Sequence, residues 1–124
     1  MRRINIIAGD VSAVAVLSSG KTSDAIWDSL PIDNTVNTWG DEIYFEIPVT
    51  SALDETAREV VEKGDLGYWP TGKAFCIFFG PTPASQNDEI RPASAVNIVG
   101  KVENDVDIFK TIRDGMVIKL ERTE

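Results

Sequence analysis

Histidine is absent from the 124 residues, and cysteine occurs once, at Cys76. These gaps exclude an intramolecular disulfide, a Cys/His zinc site, and each catalytic dyad or triad that needs imidazole. Positive charge is also scarce: 12 Lys and Arg stand against 20 Asp and Glu, giving a formal net charge of -8. Apart from Arg2-Arg3 the basic residues are scattered, so the chain would repel a phosphate backbone and nucleic acid is not expected as a partner. No apolar run approaches the roughly 18 residues of a transmembrane helix, and no membrane partner is expected. The opening MRRINIIAGDVSAVAVLSSG imitates a signal peptide, but Asp10 divides its apolar residues into two groups. A cytoplasmic, reducing location is the resulting expectation.

What is present is enough apolar material, 43% of residues, to close one core without disulfide or metal. A single domain over residues 1–124 is expected. Ile4, Ile6 and Ala8, then Val14 and Val16 flanked by Leu17, alternate as two strands joined at Gly9-Asp10. Thr22 or Ser23 can cap a short helix running to about Leu30, with Ile26, Trp27 and Leu30 on its apolar side and Pro31 ending it. Ile32 to Asn37 reads as a polar connection. In Glu42 to Ile47, Ile43, Phe45 and Ile47 fall on one face and Glu42, Tyr44 and Glu46 on the other. The first face is expected in the core; for the second, the solvated reading is preferred over a polar groove.

Ser51 to Glu62 is expected to contain a helical turn before a strand, and Glu62 to Asp65 a tight turn. The stretch Gly64 to Pro83, GDLGYWPTGKAFCIFFGPTP, concentrates aromatics, glycines and prolines. Within it Leu66 to Trp69 reads as a strand, Trp69 to Gly72 as a turn, and Lys73 to Phe79 as a strand apolar on both faces, so it must be covered twice. Gly80 to Ala93 is long for a loop in a small domain and is placed over a cleft. Ser94 to Val102 is a further strand. Asn104 or Asp105 caps a second helix carrying Ile108, Phe109 and Ile112, Gly115 stops it, and Met116 to Leu120 is the last strand.

Three segments carry a family likeness: NTWGDEIYFEIPV (Asn37 to Val49), GDLGYWPTGKAFCIFFGPTP and PASAVNIVGKV (Pro92 to Val102). Together they closely resemble the small prokaryotic cyclophilin-like proteins of the DUF369 group, over nearly the whole chain. The resemblance implies a mainly β fold, a closed barrel of about eight strands capped by two short helices, which agrees with the strands and helices read from the residues. Cyclophilins proper isomerise X-Pro bonds with an arginine beside the prolyl nitrogen and a histidine among its neighbours. The Phe-His-Arg run around that arginine is missing here, so no catalytic residue is carried across.

Candidate chemistry rests on the residues themselves. Arg91 is the best hydrogen-bond donor for a twisted prolyl amide, although a loop arginine is more often an ion-pair partner, here for Asp88 or Glu89. Glu42, beside Trp39 and Tyr44, is the one carboxyl that invites an acid-base role. Cys76 in an apolar strand is read as an inert core thiol. Trp39, Tyr68 and Trp69, beside Gly and Pro turns, are the chief candidates to wall a pocket, with Glu42, Tyr44, Phe78, Thr82 and Arg91 as further ligand-binding candidates. A peptide segment or small molecule is the expected ligand, and the protein itself is expected to be a monomer or small homo-oligomer. No cofactor and no metal site is expected, and a weak or divergent prolyl isomerase, or another activity in the same cleft, is the alternative to simple binding.

Overall fold

The computed structural model describes residues 1–123. Its first element is the expected hairpin: β1 (Arg2–Ala8) and β2 (Val11–Leu17) pair antiparallel from Arg2↔Leu17 to Ala8↔Val11. Gly9 turns the chain at φ 56, in the left-handed region where glycine meets no steric penalty. On β1 the expected residues, Ile4, Ile6 and Ala8, enter the core, but on β2 it is Ala13, Ala15 and Leu17 that do so, while Val14 and Val16, the residues named by the alternation, are only half-buried on the other face. Pairing decides the face on β2: Ile4 lies opposite Ala15 and Ile6 opposite Ala13, so the small residues take the core side beside the isoleucines.

Helix α1 (Lys21–Ser29) follows, but its N-cap is Gly20 and no side chain caps it. Thr22 and Ser23, the expected caps, are buried within the first turn: Ser23 Oγ donates to the Val99 carbonyl at 3.3 Å, and Thr22 Oγ1 lies 2.7 Å from Ser51 Oγ. Their hydroxyls bind the helix to the sheet rather than starting it. Ile26 is fully buried, while Trp27 sits half-buried against the Arg122 and Arg2 guanidiniums, 4.4 and 5.7 Å from its ring.

Ile32 to Asn37 is not a plain connection. It supplies β3 (Ile32–Thr35), paired with β10 (Val117–Arg122), and the start of β4 (Asn37–Thr38), paired with β5 (Glu42–Glu46). In this stretch Ile32 and Val36 are the buried residues, four apart, so no alternation announces a strand. Residues 51–62 likewise hold no helical turn. They run irregularly to β6 (Ala57–Arg58) and are tied down by Asn97, whose side chain accepts from Asp54 N–H at 2.9 Å and donates to the Ala52 carbonyl at 2.9 Å.

The remaining strands are β7 (Asp65–Trp69), β8 (Ala74–Phe78) and β9 (Val96–Val102). The sheet runs β3-β10-β1-β2-β9-β7-β8-β5-β4, with β6 on β9, and every pairing in it is antiparallel. It curls into a nearly closed barrel of ten strands, two of them, β4 and β6, only two residues long. Asn34 on β3 reaches across the seam to donate to the Glu46 carbonyl on β5 at 2.9 Å.

Inside the barrel lie Ile43, Phe45, Leu66, Tyr68, Phe75, Ile77 and Val99, with Phe45 and Phe75 rings 5.6 Å apart. The second helix is a 3-10 helix, Val106–Thr111, capped by Asp105 accepting from Asp107 N–H. Its buried residues, Val106, Phe109 and then Ile112, recur every three positions, which suits three residues per turn better than the i, i+4 spacing of Ile108 and Ile112. Strand β8 is covered on both faces. Phe75 and Ile77 point inward, while Cys76 and Phe78 join Val61, Ile90 and Val96 in a second apolar cluster on the outside. That outer cluster is the bed of the site described next.

Candidate functional site

Because Ile43 and Phe45 point into the barrel, Glu42 and Tyr44 on the same strand must point out. The same argument turns Trp69 outward, since its neighbour Tyr68 is in the core. Register then brings these outward residues together: β5 lies beside β8 with Glu42↔Phe78 and Tyr44↔Cys76, and β7 lies on the other side of β8 with Trp69↔Ala74. A cavity of about 240 Å³ opens on this outer face, lined by Trp39, Glu42, Tyr44, Trp69, Pro92, Ala93 and Val96.

Each wall has a local cause. Trp39 leads the loop between β4 and β5, where its N–H donates to the Glu42 carbonyl at 2.9 Å and Gly40 adopts φ 62. A Cβ on Gly40 would come within 2.9 Å of the Pro81 carbonyl oxygen, so this turn needs glycine for its fit against the 81–83 segment as well as for its φ. Trp69 precedes the 3-10 turn Pro70–Gly72, and its indole N–H donates to Ser94 Oγ at 2.6 Å. Tyr44 meets Trp69 edge to face, ring centres 6.2 Å apart and planes at 80°, so the two rings form a corner. Pro92, Ala93 and Val96 close the cavity from the end of the long loop and the start of β9.

Glu42 is the polar group of this cavity. The solvated position preferred from the sequence is corrected by the structure: Glu42 is 5% exposed, because Phe78 and Cys76 lie beside it on β8. Burial penalises the charged form and pushes its pKa up to about 7, with the Cys76 thiol hydrogen bond pulling weakly the other way. Cys76 is itself wholly buried, and its pKa is held well above the ordinary thiol value by burial and by the neighbouring Glu42. The thiol is thus a poor nucleophile, while the carboxyl can gain or lose a proton near neutrality.

Of the residues singled out from the sequence, Trp39, Glu42, Tyr44 and Trp69 meet in this cavity. The other four stand elsewhere. Tyr68 is in the barrel interior, its hydroxyl donating to the Val49 carbonyl at 2.5 Å. Phe78 is fully buried in the outer cluster, packed where Gly67 leaves room; a Cβ on Gly67 would stand 3.1 Å from its ring. Thr82 is buried and braces the long loop, donating to the Arg91 carbonyl at 2.5 Å and contacting Ser85. The Arg91 guanidinium pairs with Glu89 at 2.6 Å and lines, with Glu59 and Ser94, an adjoining depression that shares Pro92 and Ala93 with the cavity. Pro92, Ala93 and Val96 were not singled out, although placing the long loop over the cleft pointed to the first two. Val96 carries no local signal beyond its place in the strand read over Ser94 to Val102. Among the described residues, no group of three or more Cys, Asp or Glu side chains is placed to hold a metal ion. No helix among them is long and apolar enough to cross a membrane.

A nearly closed antiparallel barrel carrying two short helices is a cyclophilin-like architecture. The chain belongs to the Cyclophilin-like family, whose model matches residues 2–121. Among solved structures it is similar to the hypothetical protein AF2241 of Archaeoglobus fulgidus, at 42% identity and TM-score 0.84 over 98% of this chain and 95% of that one. It also shares its fold with McbB, solved in complex with tryptophan, at 16% identity and TM-score 0.71. That match covers 97% of this chain but 44% of McbB. No curated protein matches the chain by sequence.

Proposed function

We propose that the protein binds a small molecule, or a single side chain of a larger partner, in the outer cavity. The observation that carries this reading is a carboxyl, 5% exposed, among the lining residues of a cavity walled by Trp39, Tyr44 and Trp69. Burying an ionisable group with one thiol for a side-chain partner costs stability, and such costs concentrate where a ligand is met. The volume of about 240 Å³ lies below the ~300–1,000 Å³ of pockets for drug-sized ligands, which favours a small or partial guest over an extended peptide. A cytoplasmic setting belongs to the same proposal.

Catalysis at the same place is the second reading, favoured by the near-neutral pKa of Glu42, which suits a general acid or base. Prolyl isomerisation through Arg91 is disfavoured, because that guanidinium is engaged by Glu89 outside the cavity. An amide NMR titration against a library of small fragments and proline-containing peptides, followed by exchange spectroscopy on cis and trans peptide signals, tests these readings together. Binding predicts shifts at Trp39, Tyr44 and Trp69, and Trp39→Ala should weaken the binding reported at Tyr44 and Trp69. Accelerated peptide exchange lost in Arg91→Ala would overturn the ligand reading in favour of the isomerase, and an entire library without effect on the cavity would remove it.

A further inference from the structure

Resting on the reading of the outer cavity as a ligand site, we infer that its ligand is an organic cation, an alkylated ammonium group seated among Trp39, Tyr44 and Trp69 with Glu42 as its counter-ion. Three electron-rich rings line one small cavity, and two of them, Tyr44 and Trp69, stand nearly perpendicular at 80°. Ring faces attract positive charge through their quadrupoles, and a corner of rings surrounds a compact cation in a way that a parallel stack does not. Methyl groups on the nitrogen fit the apolar walls completed by Pro92, Ala93 and Val96. A carboxyl within the same lining supplies the opposite charge.

The charges around Glu42 favour a cation from every side. On its own strand stands Tyr44; from β8 comes Cys76, a hydrogen-bond donor without positive charge; and the covering segment contributes only Pro92, Ala93 and Val96. Asp41, its sequence neighbour, is packed against Gly80. The nearest basic residue in sequence to that covering segment, Arg91, is occupied by Glu89. No lysine or arginine lines the cavity, so an incoming cation has no competitor within it and an anion has no partner. The net charge of -8 adds a general attraction for cations.

Proton linkage gives the inference a signature. Burial keeps the free carboxyl partly protonated near neutrality, and an ammonium group stabilises the carboxylate, so its binding expels the Glu42 proton to solvent. Affinity for a cation should therefore rise with pH until Glu42 is ionised in the free protein. A neutral ligand that accepts the carboxyl proton in a hydrogen bond would show the opposite slope.

The test is an amide and indole NMR titration of the whole chain with trimethylammonium chloride and, separately, with tert-butanol, an uncharged molecule of similar shape. Both are run at about pH 6 and about pH 8, where full linkage to Glu42 predicts about tenfold tighter cation binding at the higher pH. Trimethylammonium is expected to shift the Trp39 and Trp69 indole signals and to bind about tenfold more tightly than tert-butanol at the higher pH. Glu42→Gln should reduce the preference for the cation to what the rings alone supply and remove the pH dependence, and Trp39→Ala should weaken the cation with Glu42 intact. Equal or tighter binding of tert-butanol, or affinity for the cation that does not rise with pH, overturns the inference while leaving a ligand cavity in place. Failure of both probes to shift the indoles also overturns it. The ligand reading then depends on the separate fragment library.

Discussion

Gly72 lies directly beneath the indole of Trp69: a Cβ at position 72 would stand 2.6 Å from two of its ring carbons. No real Cβ tolerates that approach, so an alanine there must push the indole away, and the ring is the movable partner. The wall of the cavity thus depends on an absent methyl group. Gly72→Ala is expected to break the 2.6 Å bond from the indole N–H to Ser94 and to open the corner made with Tyr44. Stability should fall by only about 1 kcal/mol, because Trp69 lies at the edge of the outer cluster and one hydrogen bond is lost. Indole NMR shifts and near-ultraviolet circular dichroism would report the displaced ring. A variant with an unaltered Trp69 environment would show that the ring is not seated on Gly72.

Glu42 sets a pH dependence whose sign follows from its burial. Its folded pKa, about 7, lies above the ordinary glutamate value of 4.5, so between these values the folded protein holds more protons than the unfolded chain. Stability contributed by this residue is therefore highest at low pH and falls as pH rises through that window. The full loss is on the order of 3 kcal/mol. Glu42→Gln lacks the titration. The difference in unfolding free energy, variant minus parent, should grow in favour of the variant between about pH 4.5 and about pH 8 and then level off. Urea unfolding across that range measures it, and a difference that stays flat would mean the carboxyl is not shifted.

How much of this could be read from the sequence depended on whether a signal was local. Strict alternation in Ile4 to Ala8 and in Ile43 to Ile47 names both strand and inward face, and the structure follows it. By contrast β3 and β4 hold few buried residues and are strands because β10 and β5 are there to pair with, a fact that no window of neighbours contains. Within the site, aromatic density near turns identified Trp39 and Trp69 but also drew in Tyr68, which differs from Trp69 only in strand parity. Glu42 shows the limit most clearly. A carboxylate on an alternating strand is ordinarily solvated, and only the apolar outer face of β8, brought alongside by register, makes this one buried.

Tyr68 separates scaffold from site. It is fully buried, and its hydroxyl donates to the Val49 carbonyl, holding the end of the β5 segment against the barrel. Tyr68→Phe keeps the ring and leaves that carbonyl without its donor, which should cost about 1–2 kcal/mol in denaturant unfolding. Ligand-induced shifts at Trp39 and Trp69 should be unchanged, since Tyr68 faces the opposite side of the sheet. A variant of parental stability with altered cavity binding would place the hydroxyl on the wrong side of the barrel wall.

Cys76 should be chemically silent until the barrel opens. It is wholly buried on β8 between β5 and β7, and both burial and the adjacent Glu42 disfavour the thiolate that alkylating reagents require. Native protein treated with iodoacetamide or an aromatic disulfide reagent at mildly alkaline pH should remain unlabelled while a denatured sample reacts at once. Glu42→Gln removes a negative neighbour and so eases ionisation, yet it does not expose the sulfur; labelling should still wait on unfolding. If labelling of the native protein instead speeds up in Glu42→Gln without any loss of stability, the thiol is reached through the cavity, and the outer cluster is more open than its packing implies.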